Sequence, residues 1–153
     1  MSIIDSLKEK GITLPPAPKP LGVYQPAVKT GNLVFLSGIL PLVDGKLPAE
    51  YTGKLGFNIH IDNAGKAVQQ SILNAVSILN EYYGLDNIVR IVRLAGHISC
   101  TPAFNAHPAV LNPASELLGR IFGDNGVHAR LALGAVSLPL DSCVEIELIV
   151  EVK

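Results

Sequence analysis

Arg130 stands in "HARLALGAVSLP" among Ala129, Leu131, Ala132, Leu133 and Gly134. A guanidinium in such a small and apolar segment is costly unless it meets an acidic partner or a ligand. Leu138 and Pro139 follow as a turn, and the next run, "VEIELIVEV", offers Glu145 and Glu147. A hairpin centred near Leu138 and Pro139 would put Arg130, Glu145 and Glu147 on one sheet face. Two chemistries then remain open. One is a cross-strand ion pair of structural value only. The other is a fork that clamps a substrate carboxylate while a glutamate positions a water.

No other motif competes. His60, His97, His107 and His128 are scattered without metal-ligand spacing. The sequence contains no Gly-x-Gly-x-x-Gly, P-loop or nucleophile elbow, so dinucleotide, phosphoryl-transfer and serine-hydrolase chemistry find no support. No metal and no cofactor are expected. Cys100 and Cys143 lie far apart and read as reduced structural thiols.

The elements that must position Arg130 can be read from the periodicity. Residues 2–10 form a short amphipathic helix capped by Ser2, and the proline-rich "LPPAPKPLG" makes residues 1–21 an arm. Two strands flank Thr30, Gly31 and Asn32, with Pro26 marking the first as an edge strand, and "VDGK" is a further turn. Val68, Ile72, Ala75, Val76, Leu79 and Tyr83 predict a helix over 63–83 that Gly84 stops. Residues 88–99 predict a strand, and 113–122 a second helix with Asn112 as cap and Pro113 first. Strands over 127–137 and 143–152 end the chain. The whole predicts one α+β domain over 1–153, a mixed sheet with two main helices on one face.

Hydrophobic residues are 48% of the 153 and charged residues 16%, well below the ordinary share of about 25%. So little charge points to a homo-oligomer that hides apolar surface. A net charge of −1 gives no pull toward nucleic acid or anionic lipid, which makes nucleic-acid binding an unfavoured expectation. The first residues lack a signal-peptide pattern and no stretch approaches a membrane span, so a cytoplasmic protein is expected.

"GVYQPAVKTGNLVFLSG", "ARLALGAVSLP" and "VEIELIVEV" together resemble the Rid family of reactive intermediate deaminases, also called YjgF or L-PSP endoribonuclease-like proteins, from about Gly22 onward. The resemblance implies a chorismate-mutase-like fold and a homotrimer with ligand clefts between subunits. It implies that Arg130 binds a substrate carboxylate, with Glu145, Tyr24 of the adjoining subunit, Ser37, Gly38, the backbone of Ala132 and Asn112 around the ligand. Taken as residues alone, Tyr24 could be a strand aromatic, Gly38 a bulge and Asn112 a helix cap.

The sequence also departs from the family pattern. Val23 precedes Tyr24, Ile39 follows Gly38, and Leu131 and Ala132 follow Arg130 where the family has serine and cysteine. "YTGKLGFNIHID" looks like an insertion, and "HISCTPAFNAHP" replaces an acidic loop. The activity implied is hydrolysis of 2-imino acids to 2-oxo acids and ammonia, with a pocket altered from the usual one. The alternatives are a non-catalytic trimer that binds small carboxylate metabolites and, less favoured, an endoribonuclease.

Overall fold

A computed structural model describes all of residues 1–153. The elements in chain order are α1 (Ile3–Glu9), β1 (Ala27–Thr30), β2 (Leu33–Leu36), α2 (Ile61–Tyr83), β3 (Ile88–Ser99), α3 (His107–Phe122), β4 (Ala129–Ala135) and β5 (Val144–Val152), with short 3₁₀ turns between them. The sheet order is β1-β2-β5-β3-β4. All neighbours are antiparallel except β3 and β4, which run parallel. This is the expected mixed sheet with helices packed on one face.

The core lies between that face and α2 and α3. Val144, Ile146, Leu148, Val150 and Val152 of β5 are buried beneath the helices, whereas Glu145, Glu147, Ile149 and Glu151 point the other way. Ala64, Val68, Ile72, Ala75 and Leu79 supply the facing stripe of α2 and are fully buried. In β3 the buried positions that face the helices are Ile88, Ile91, Leu94, Gly96 and Ile98, and Ala95 and Ser99 are buried as well. Two register shifts against β5, between Ile88 and Arg90 and between Ile91 and Arg93, stretch the first inward spacings to three residues.

Two expectations change. The strands at the C-terminus are not a hairpin: β3 lies between β4 and β5, pairing with β4 in parallel and with β5 antiparallel. The connection through Leu138 to Ser142 is therefore a crossing over the end of β3, with Leu140 and Asp141 at positive φ. The second helix starts at His107 rather than Pro113. Pro108 occupies the first turn, where a missing N–H is harmless, and Pro113 is carried inside the helix. Its ring packs toward Gly65 of α2, where a Cβ would approach Pro113 Cγ to 3.2 Å. Asn112 is consequently an interior helical residue whose side chain is free of capping duty.

Candidate functional site

Arg130 aligns with Leu94 of β3, which in turn faces Leu148 of β5, and both leucines are buried in the core. Arg130 therefore shares the helix-covered face, on the edge strand β4. Its Nη1 donates to Asn112 Oδ1 at 2.9 Å and to Ser115 Oγ at 3.2 Å, both on α3. No acidic group pairs with it. The ion pairs of the chain are Lys8–Asp5, His60–Asp62 and His97–Glu147. Ala132 follows two residues along β4 on the same face, partly buried against the core.

Glu145 aligns with His97 and so points from the opposite face. The expectation that Arg130, Glu145 and Glu147 share a face is overturned, because β3 separates the two strands and reverses the parity. Glu147 finds His97 instead, with 2.8 Å between Oε2 and Nε2. Burial pushes the Glu145 carboxyl above the ordinary carboxylate value; His97 opposes the shift and Glu147 adds to it.

Tyr24, Ser37, Gly38, Pro139 and Glu145 line one cavity of about 530 Å³, together with the arm from Pro18 to Leu21. Ser37 and Gly38 sit where β2 bulges: Phe35 faces Ile149 and Ile39 faces Ile146, so four steps on one strand answer three on the other. Ser37 Oγ donates to the Gln25 carbonyl at 2.6 Å and holds the segment between the arm and β1. Tyr24 Oη accepts from the Leu21 N–H at 3.3 Å. Tyr24 thus shares a cavity with Glu145 of its own chain.

Of the expected site residues, Tyr24, Ser37, Gly38 and Glu145 come together, and so do Arg130 and Asn112 with Ala132 beside them. The two groups lie on different faces of one chain. Sequence reasoning missed Ser115, His128 and the arm residues of the cavity. The spacing offers a signal for the first two, since Ser115 follows Asn112 by one helical turn and His128 precedes Arg130 by two residues. Among His, Cys, Asp and Glu, no group of three or more converges to hold a metal ion. Both cysteines are free, Cys100 Sγ lying 3.5 Å from His107 Nε2. No helix is long and apolar enough to cross a membrane.

An α+β subunit with this strand order, a bulged Ser-Gly beside a glutamate and an arginine on a parallel edge strand is the frame of a chorismate-mutase-like protein. Residues 5–152 match the family described as "YjgF/chorismate mutase-like, putative endoribonuclease", and the chain belongs to that family, the Rid or YjgF proteins. It is 34% identical over 150 residues to Protein TCP17 of Trypanosoma cruzi, covering 97% of this chain and 92% of that one. The crystal structure of Atu1372, a protein of unknown function from Agrobacterium tumefaciens, superposes with a TM-score of 0.88 at 36% identity, covering 99% of this chain and 92% of that one. A chloroplastic Reactive Intermediate Deaminase A from Arabidopsis thaliana is 28% identical over 148 residues, 94% of this chain and 66% of the relative.

Proposed function

We propose that this chain hydrolyses reactive 2-imino acids to 2-oxo acids and ammonia, in clefts formed between subunits of a homotrimer. The observation that carries the reading is Arg130: a guanidinium on an apolar edge strand, held by two neutral oxygens and left without a counter-charge. A planar carboxylate suits its remaining donors. The name of the Arabidopsis relative points to the same class of reaction.

Because Glu145 and Tyr24 face away from Arg130 in one chain, a complete site requires two copies. One copy supplies Arg130, Asn112 and the Ala132 backbone, and its neighbour supplies Glu145, Tyr24, Ser37 and Gly38. Phe35, Leu131 and Leu133, 43%, 37% and 45% exposed on the sheet face away from the helices, support a copy docking there. Glu145, ionised, accepts a proton from a water that attacks the imine carbon. Glu145 returns that proton to the nitrogen, giving the carbinolamine; as its carbon–nitrogen bond breaks, the hydroxyl proton passes through Glu145 to the departing nitrogen, so that ammonia leaves and a carbonyl remains. Such a substrate hydrolyses unaided in water, so orientation and one proton carrier suffice.

The test is the rate of 2-oxobutyrate formation from 2-iminobutyrate. Wild type should accelerate it and Arg130→Ala should not, with the trimeric assembly and the melting temperature unchanged. Absence of acceleration by the wild type would refute the enzyme reading for that substrate. The separation of Arg130 from Glu145 favours a second reading, capture of a small carboxylate without turnover, which predicts 2-oxo acid bound at Arg130 and no acceleration. RNA cleavage that survives Arg130→Ala in repurified protein would support the endoribonuclease alternative.

A further inference from the structure

The surroundings of Arg130 form a hydrogen-bonded chain whose direction is fixed by its far end. The Gly126 carbonyl can only accept, and it lies 2.6 Å from His128 Nδ1. Nδ1 must therefore carry a proton, and in the neutral form of the ring Nε2 is then the acceptor. Nε2 lies 3.0 Å from Ser115 Oγ, so the Ser115 hydroxyl donates to it. With its proton committed to His128, Ser115 offers its lone pairs to Arg130 Nη1 at 3.2 Å. Asn112 Oδ1 accepts from the same nitrogen at 2.9 Å. Both hydrogens of Nη1 are thus engaged, and the plane of the guanidinium is set.

The far end is itself anchored. Gly126 is buried against the backbone of α3, and a Cβ there would stand 2.7 Å from the Leu118 carbonyl carbon and 3.0 Å from Gly119 N. Only a glycine lets that turn lie flat on the helix and aim its carbonyl at His128. The chain therefore leaves α3 at Ser115 and returns to it at Gly126.

We infer that Ser115 and His128 are positioning residues that hold Arg130 ready for a carboxylate, through a relay from Arg130 to Ser115 to His128 to the Gly126 carbonyl. This deepens the imine-hydrolase reading and rests on it for the identity of the ligand. A long arginine side chain left free would lose its rotamer freedom on every binding event, and the relay removes that loss beforehand. The carboxylate is present in both the substrate and the transition state, so disturbing its anchor weakens binding without touching the chemical step.

The experiment compares wild type with Ser115→Ala, Ser115→Thr and His128→Phe. It reads kcat and KM for 2-iminobutyrate, the Kd for 2-oxobutyrate, and the melting temperature. Losing one bond to a charged donor should raise KM and Kd about five- to tenfold in Ser115→Ala and His128→Phe while kcat moves less than about twofold. Ser115→Thr, which keeps the hydroxyl, should restore wild-type KM. Independently of any substrate, ¹⁵N–¹H correlation spectra of the imidazoles should show the Nδ1–H tautomer for His128. Overturning results are an Nε2–H tautomer, an unchanged KM in Ser115→Ala, or a Ser115→Thr as impaired as Ser115→Ala. If the wild type neither turns over imine nor binds 2-oxobutyrate, the functional reading fails, and the tautomer alone still decides the relay.

Discussion

The carboxylate of Glu145 fills the space that a side chain at Gly38 would need. A Cβ built on Gly38 would overlap Glu145 Oε1 and stand 3.0 Å from Cδ. The bulge after β2 therefore does two things at once: it sets the Ser37–Gly38 backbone at the cavity, and it leaves a gap into which the acid folds.

Gly38→Ala tests that packing. Its φ is ordinary, so the substitution acts through space alone. The added methyl must push Glu145 aside, and overpacking of this kind costs about 1–3 kcal/mol when the neighbour cannot yield. Because Glu145 is flexible at its end, the stability loss should fall at the low end. The displacement of the carboxylate should lower imine hydrolysis at least about tenfold. Urea unfolding and the rate assay together measure both effects.

Arg130→Ala and Arg130→Lys separate charge from geometry. Arg130 is exposed and has no acidic partner, so either change should leave unfolding free energy within about 0.5 kcal/mol of wild type. The alanine variant should lose acceleration. The lysine variant keeps the charge but not the planar fork, and should retain a small part of the activity with a raised KM.

The two thiols should differ sharply in reactivity. Cys143 is fully buried and burial pushes its thiol up to about 12, whereas Cys100 is partly exposed beside His107. A maleimide added to the native protein near neutral pH should label Cys100 alone, and both only after denaturation. Intact mass and peptide mapping report the outcome.

Much of this architecture was legible because local signals agreed with one another. Ser2 caps α1, accepting from Asp5 N at 3.1 Å, and Gly84 ends α2 at φ 75°. Asp44 and Gly45, both at positive φ, turn the Val43–Lys46 bridge. What escaped was non-local. Nothing in "ARLALGA" or "VEIELIV" says that β3 inserts between them, and an alternating strand pairs equally well with either neighbour. That one insertion moved Arg130 to the face opposite Glu145. Pro113 misled in a different way: Pro-after-Asn is a helix-start signal, but Pro108 five residues earlier carries the same signal and begins the helix. With α3 starting at His107, Asn112 and Ser115 fall one turn apart and both reach Arg130.

The raised carboxyl of Glu145 should make stability and the proposed activity move in opposite directions with pH. A carboxyl whose folded value lies above its unfolded one holds its proton more tightly in the folded protein. Its favourable contribution is therefore complete below the ordinary value of 4.5 and is lost as pH rises through the raised folded value. Burial of the charge is the main cause, and Glu145→Gln removes the charge while nearly preserving shape. Relative to wild type, the glutamine variant should gain stability between pH 4 and pH 7, read from urea midpoints at the two values. The proposed hydrolysis requires the opposite form, since only the carboxylate can take a proton from water. Wild-type kcat/KM should fall on acidification with an apparent midpoint above 4.5, once corrected for uncatalysed hydrolysis. In Glu145→Gln that acid limb should vanish together with most of the acceleration. A glutamine variant that keeps full activity would show that Glu145 shapes the cavity without carrying the proton.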